Sequence, residues 1–288
     1  MATDSAAHFS ARIARLFVYP VKSCRGVELR EALLTPTGLH LDRAWMVVDG
    51  AGVGLTQREL PRLALVHTQL GAGALGLQAP GMQPQHLPFD TLGRPVRVRV
   101  WSDEVAAHDM GDAAARWFTG FLGRPLRLVR FDTTHRRLTN PKWTGGIEAP
   151  NQFTDGYPLN VVSEASLQGL NARLARAGHA AVGIERLRPN LVLAGAEAHD
   201  EDRVRTLHVE ADGPLTLALV KPCERCPIPN IDPETAHSHP AVGDTLQGYR
   251  RHPHFGGAVT FGMYAIALQG QGLTLRTGQA VTGEWAFD

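Results

Sequence analysis

Apolar and polar residues alternate through much of this chain with a period of two, the mark of half-buried strands. Residues 94–101, Arg-Pro-Val-Arg-Val-Arg-Val-Trp, show it most cleanly. Residues 12–19 read as a first strand stopped by Pro20, and 27–34 and 44–48 as the next two. Asp49-Gly50-Ala51-Gly52 then signals a reversal. The period changes after residue 110. Ala114, Trp117, Phe118, Phe121 and Leu122 share one helical face, with Asp112 placed to cap the helix and Gly123 to end it. Residues 126–131 return to strand.

Residues 132–156 are polar and rich in Pro and Gly, and read as a long connection and a domain boundary. Beyond it, 159–162 is a short strand. Ser163 caps a helix whose Leu167, Leu170 and Leu174 lie on one face. Strands follow at 190–194, 203–210, 215–220, 263–268 and 273–276, with a hairpin across Ala211-Asp212-Gly213-Pro214. The pattern predicts a strand-dominated α+β chain of two β-rich lobes with a few helices.

Composition narrows the function classes. The 288 residues are 43% hydrophobic and 20% charged, with a net charge of +1. That balance points to no nucleic-acid partner and no membrane surface. No apolar run approaches the ~20 residues that span a bilayer. The first dozen residues show no signal-peptide pattern. Three cysteines are too few for a disulfide scaffold, so the expected compartment is the reducing cytoplasm.

Two of those cysteines stand in Lys221-Pro222-Cys223-Glu224-Arg225-Cys226-Pro227-Ile228-Pro229. A redox pair wants its first cysteine at a helix start, and the prolines oppose one. A zinc site wants further ligands. His237, His239, His252 and His254 lie downstream, but not at finger spacing. Two buried thiols packing as small apolar residues are the plain alternative. Arg225 between them favours thiolate, and thiolates bind soft metals.

Several stretches together resemble the MOSC family in its two-part form. They are Tyr19-Pro20-Val21-Lys22-Ser23-Cys24-Arg25-Gly26, Asp42-Arg43-Ala44-Trp45, Thr56-Gln57-Arg58, Ser163-Glu164-Ala165-Ser166-Leu167, Arg188-Pro189-Asn190 and Cys223-Glu224-Arg225-Cys226. They run in order across nearly the whole chain, with the mitochondrial amidoxime-reducing components and their bacterial counterparts the nearest in pattern. The resemblance implies a MOSC N-terminal β-barrel-like region over 10–135 and a MOSC domain over 136–284. It also implies the molybdenum cofactor, a molybdenum-bearing molybdopterin, with Cys226 as the protein ligand to the metal and Cys223 as the fallback. Lys22, Ser23, Arg43, Asp155, Arg188, Asn190, Arg225 and Tyr264 match positions that contact the cofactor.

The implied activity is reduction of N-hydroxylated compounds (amidoximes, hydroxylamines, N-hydroxylated bases) by oxygen-atom abstraction at molybdenum. No third cysteine follows Cys226, so no built-in iron–sulfur cluster is expected. Electrons are expected from a separate protein: a ferredoxin, a flavoprotein, or a cytochrome b5-like protein with its reductase. Two alternatives stand beside this one. The first is a non-catalytic cofactor carrier or sulfur-transfer module, although the cysteine-desulfurase region of the cofactor sulfurases, with its pyridoxal phosphate, is not expected here. The second is a zinc or thiol protein using Cys223 and Cys226. Relatives often carry Gln at Met263 and bulkier apolar residues at Pro227 and Pro229, positions expected close to the metal.

Overall fold

The structure, a computed structural model, describes residues 9–286. It is strand-dominated, 40% strand against 19% helix, as the period-two pattern predicts. Its centre is a closed seven-stranded barrel. Around the barrel, Leu191–Ala194, Leu159–Ser163, Thr260–Gln269, Leu215–Glu224, Val204–Val209, Ala280–Trp285 and Phe9–Val18 are neighbours, and Phe9–Val18 pairs back onto Leu191–Ala194 to close it. Leu159–Ser163 and Leu191–Ala194 run parallel, and the other pairs are antiparallel. Alternation along these strands sends Ile13, Leu16, Val161, Leu193, Leu207, Leu217 and Ala265 into one fully buried core. The first strand of the chain is thus built into a barrel whose other six strands come from the second half.

From the rest of the first half, Val27–Leu29 pairs with the first strand, and Glu31–Thr35 pairs with Gly38–Leu39 and Thr274–Arg276. Most of the remainder forms a four-stranded sheet, in the order Trp45–Val48, Arg127–Phe131, Asp103–Asp109, Pro95–Val100, and a three-stranded meander from His67 to Pro88. Helix α1, Gly111–Leu122, covers both with Trp117, Phe118 and Phe121. Its start differs from the sequence expectation. Met110 is the N-cap, and Asp112 lies inside the first turn. Gly111 turns the chain at a φ of 86°, and Asp109 accepts its N–H at 2.8 Å, so the capping carboxylate sits earlier than the pattern suggests. Gly123 ends the helix in the left-handed region, as expected. Helix α2, Glu164–Arg176, is capped by Ser163, whose hydroxyl accepts from the Ser166 N–H at 3.1 Å. Helix α3, Ala241–Tyr249, was not evident from periodicity.

The polar stretch 132–156 is less loose than its composition suggests. Buried Arg137 donates to Asp103, Asn151, the Gln152 carbonyl and the Thr154 carbonyl, all between 2.5 and 2.9 Å. One guanidinium thereby pins residues 151–154 against the four-stranded sheet. No described helix is long and apolar enough to cross a membrane.

Candidate functional site

A cleft of about 700 Å³, its open mouth included, lies where these elements meet. Lys22, Ser23, Arg43, Asp155, Arg188, Asn190, Cys223, Arg225, Cys226 and Tyr264 all line it. Positions up to 242 residues apart in sequence, from Lys22 to Tyr264, therefore share one wall. The turn after the first strand brings Lys22 and Ser23. The short 3₁₀ turn Ile184–Leu187 ends on Arg188. The adjoining strands Leu215–Glu224 and Thr260–Gln269 bring the thiols and Tyr264.

Three lining residues, Ser23, Arg43 and Arg188, adopt positive φ angles of 66°, 50° and 52°. Non-glycine residues there carry strain of roughly 1 kcal/mol or more each, which the surrounding packing must over-determine. Ser23 is fixed because its carbonyl accepts from Gln57 Nε2 at 2.7 Å. Arg43 bonds Asp42, Asn190 Oδ1 at 3.1 Å and the Arg188 carbonyl at 3.3 Å. Arg188 donates to the Cys24 carbonyl at 2.8 Å. Both guanidiniums lie on buried Tyr19, at 4.3 and 4.2 Å from its ring centroid. A shared aromatic face lets two like charges stand close together.

The electrostatics are those of a cationic hollow. Burial lowers the pKa of Lys22 despite Asp155, and Arg137 and Arg43 lower it further. Burial likewise lowers Arg188, with Arg43 adding to it. Desolvation pushes the Asp155 carboxyl up, but Lys22, Arg43 and Arg58 outweigh it and hold it at about 2. Lys22 Nζ donates to Asp155 Oδ1 at 2.5 Å and to the Phe153 carbonyl at 2.8 Å.

The thiols differ from each other. Cys223 is the penultimate residue of the strand Leu215–Glu224 and is buried. Pro222 cannot donate to the ladder, and the register with Thr260–Gln269 slips between Pro222 and Glu224. Cys226 lies beyond the strand and is partly exposed. Arg225 Nη1 donates to Cys223 Sγ at 3.0 Å and Nη2 to the Leu187 carbonyl at 2.8 Å. Burial opposes the charge on Arg225, but Cys223, Tyr264 and Cys226 together raise its pKa. Burial, then Cys223 and Asp155, raise the Tyr264 phenol.

Several expectations change on this geometry. Asn190 lines the cleft but spends its amide on the fold: Nδ2 donates to the Phe17 carbonyl and Oδ1 accepts from the Asn160 N–H, both at 3.1 Å. Met263 is buried in the barrel core and does not line the cleft, although its backbone pairs with Pro222, next to Cys223. Pro227 and Pro229 do not line the cleft, whereas Ile228 between them does. Among the described residues no three His, Cys, Asp or Glu side chains gather as a metal site. Cys223 and Cys226 therefore lack the further ligands that tetrahedral zinc takes.

Sequence reasoning missed Thr154 and Asn160, which also line the cleft. Thr154 Oγ1, Asn160 Oδ1 and Arg225 Nε are buried without a hydrogen-bond partner. Other such atoms lie away from the cleft, Thr206 Oγ1 and Tyr249 OH among them, so these three count only because their residues line it. Nothing in the sequence distinguishes Asn160 from a strand residue; only the sheet register, which sets it opposite Tyr264, reveals it. Two acceptors, a donor, four cations and two thiols suit a polar, anionic, soft-metal cofactor with N–H groups to donate.

The fold is a β-barrel whose strand-end cleft is lined by four cationic side chains and two thiols. Comparison with known families gives the class a name. The MOSC N-terminal beta barrel domain matches residues 10–125, and the MOSC domain matches residues 148–282. This chain belongs to the MOSC family. It is 35% identical over 252 residues to mitochondrial amidoxime reducing component 2 of Rattus norvegicus, covering 83% of this chain and 72% of the relative. It is 33% identical to mitochondrial amidoxime-reducing component 1 of Homo sapiens, covering 93% of this chain and 82% of the relative. Molybdenum cofactor sulfurase of Homo sapiens is 27% identical, over 88% of this chain and 30% of that protein.

Proposed function

We propose that this protein binds the molybdenum cofactor and reduces N-hydroxylated compounds such as amidoximes, with electrons from a separate donor protein. The observation that carries the reading is the convergence of ten family-matched residues, from both halves of the chain, on one cleft beside two thiols. The names of the relatives at 33–35% identity add to it. The donor is a ferredoxin, a flavoprotein or a cytochrome b5-like protein with its reductase.

When bound, the cofactor supplies two-electron oxygen-atom chemistry at its metal. The chain supplies the rest. Cys226, the more accessible thiol, is the protein ligand, and Cys223 the fallback. Arg225 donates to Cys223 Sγ and keeps positive charge beside the thiols. Arg43 and Arg188, clamped on Tyr19, present fixed guanidiniums to the cofactor's phosphate. Lys22 adds a point charge, and Ser23 a hydroxyl. Asn160 Oδ1 and Thr154 Oγ1 accept from the pterin's N–H groups. Asp155, ionised at neutral pH and more than half exposed, faces incoming substrate.

The test is elemental analysis of protein from a host that makes the cofactor, followed by reduction of benzamidoxime with a chemical electron donor. The reading expects about one molybdenum per chain and formation of benzamidine. Molybdenum without turnover of several N-hydroxylated substrates supports a carrier or sulfur-transfer module instead. Zinc without molybdenum ends the proposal.

A further inference from the structure

Trp101 stands apart from the other tryptophans. It occupies the two-residue tip of the hairpin between Pro95–Val100 and Asp103–Asp109, with Val100 paired to Asp103. Its φ is 55°, a conformation that hairpin tips usually give to Asn, Asp or Gly. A bulky aromatic there is strained, and it is also 45% exposed. Neither local turn chemistry nor core packing accounts for it. Strain of this kind collects at functional sites.

Its neighbours tie it to the cleft. Lys22 Nζ lies 5.4 Å from the ring centroid, and the Arg58 guanidinium carbon lies 4.3 Å from it. Lys22 holds Asp155, and Arg58 helps depress the Asp155 carboxyl. The ring and Arg58 therefore border the cleft where Lys22 holds Asp155. Arg58 is itself exposed. A guanidinium is a flat, delocalised cation, the same kind of group as an amidinium. It rests on an aromatic face within electrostatic reach of a carboxylate that is ionised at neutral pH.

We propose that Trp101 and Asp155 form a rim subsite for flat cations of the amidine and guanidine type, which Arg58 fills in the free protein. Ligands of that shape enter by displacing Arg58. The inference deepens the function proposed above, since amidine products have this shape, but its test does not require turnover. It makes Trp101 a specificity residue for flat delocalised groups over aliphatic hydroxylamines. It makes Arg58 an internal competitor.

The experiment is calorimetric titration of the full chain with benzamidinium chloride at low salt. Wild type, Arg58→Ala, Trp101→Ala and Trp101→Phe are compared, each checked for native circular dichroism. Removing the competitor in Arg58→Ala tightens binding. Trp101→Ala weakens it by roughly two- to fivefold, the scale of an exposed cation–π contact, and Trp101→Phe retains most of it. In cofactor-loaded enzyme the same Trp101→Ala change raises KM for benzamidoxime more than for an aliphatic hydroxylamine. Equal affinity across all four proteins overturns the subsite and leaves the proposed reductase standing. The expected affinity order in a protein that reduces nothing supports the subsite and sinks the reductase.

Discussion

Replacing Asn190 with Ala tests whether this residue joins the two halves of the chain. Its buried amide spans three segments. Nδ2 donates to the Phe17 carbonyl at 3.1 Å, and Oδ1 accepts from the Asn160 N–H and from Arg43 Nη1, each at 3.1 Å. The residue is 1% exposed, so water does not replace the lost partners. Each buried neutral group left unsatisfied costs about 1–3 kcal/mol, and a bond to a charged donor contributes about 1.5–3 kcal/mol. Arg43 keeps Asp42 and the Arg188 carbonyl, so its share is the smallest. The total is about 4 kcal/mol. For a chain of this size each kcal/mol shifts the melting temperature by about 2–4 °C, giving a drop of roughly 8–16 °C. Calorimetry or thermal circular dichroism on cofactor-free protein reads it directly. A drop below 2 °C refutes the reasoning and returns Asn190 to the simple role of a cofactor contact.

Four further outcomes follow from the geometry. Cys226→Ser keeps the fold, because the residue is partly exposed. It lowers molybdenum retention by ~10-fold or more, the scale on which disturbing a metal's ligand environment acts, as metal analysis of purified protein will read. Cys223→Ser puts a hydroxyl at a 3% exposed position and lowers the melting temperature more than Cys226→Ser does. Gly262→Ala meets both a φ of 73° and a Cβ only 2.7 Å from the Val161 carbonyl oxygen and from Val162 Cγ2, so it destabilises by about 2 kcal/mol or more in urea unfolding. Asp155 has its folded-state pKa depressed to about 2, below the unfolded value. Its stabilisation is therefore complete above about pH 4 and is lost as pH falls through about 2. Asp155→Asn flattens that acid limb of the stability profile, and an unchanged limb contradicts the Lys22–Asp155 pairing.

Strands were legible where one face is buried and the residues must alternate, as 94–101 do in plain view. What failed to show was information carried by neighbours in space. The last barrel strand, Ala280–Trp285, alternates too, but Gly283 and Thr282 blur its contrast. Gly283 is small because a Cβ there would lie 2.8 Å from the Thr206 carbonyl oxygen, a contact made by a strand far away in sequence. Helix α3 buries only Ala241, Val242 and Leu246, too few for its period to stand out. The cleft residues were legible through motif resemblance and not through spacing. Lys22 and Tyr264 have no sequence relation that physical chemistry could read. Asn190 lines the cleft and also bonds the Phe17 and Asn160 backbone, a structural role that only its hydrogen bonds reveal.

Building the first strand into a barrel made by the second half also sets the charge balance of the cleft. Four cationic side chains in one hollow repel each other, and burial adds to the cost for Lys22 and Arg188, whose charged forms are disfavoured. A single segment could not supply enough counter-charge without filling the hollow. Here the compensation comes from several directions and stays behind the wall. Asp42 sits under Arg43 with no exposed side-chain surface, Asp155 holds Lys22 from the rim, and Tyr19 offers its face to two guanidiniums. Asp42, Arg43 and Tyr19 converge because Tyr19 directly follows the first barrel strand and its N–H donates to Asp42 Oδ1 at 2.7 Å. Pairing that strand with Leu191–Ala194 then sets Arg188 against the same ring. Four cationic side chains thus line the cleft beside Asp155 and Glu224. Barrel closure and the placing of these charges are one construction, and weakening the Phe9–Val18 pairing disturbs both.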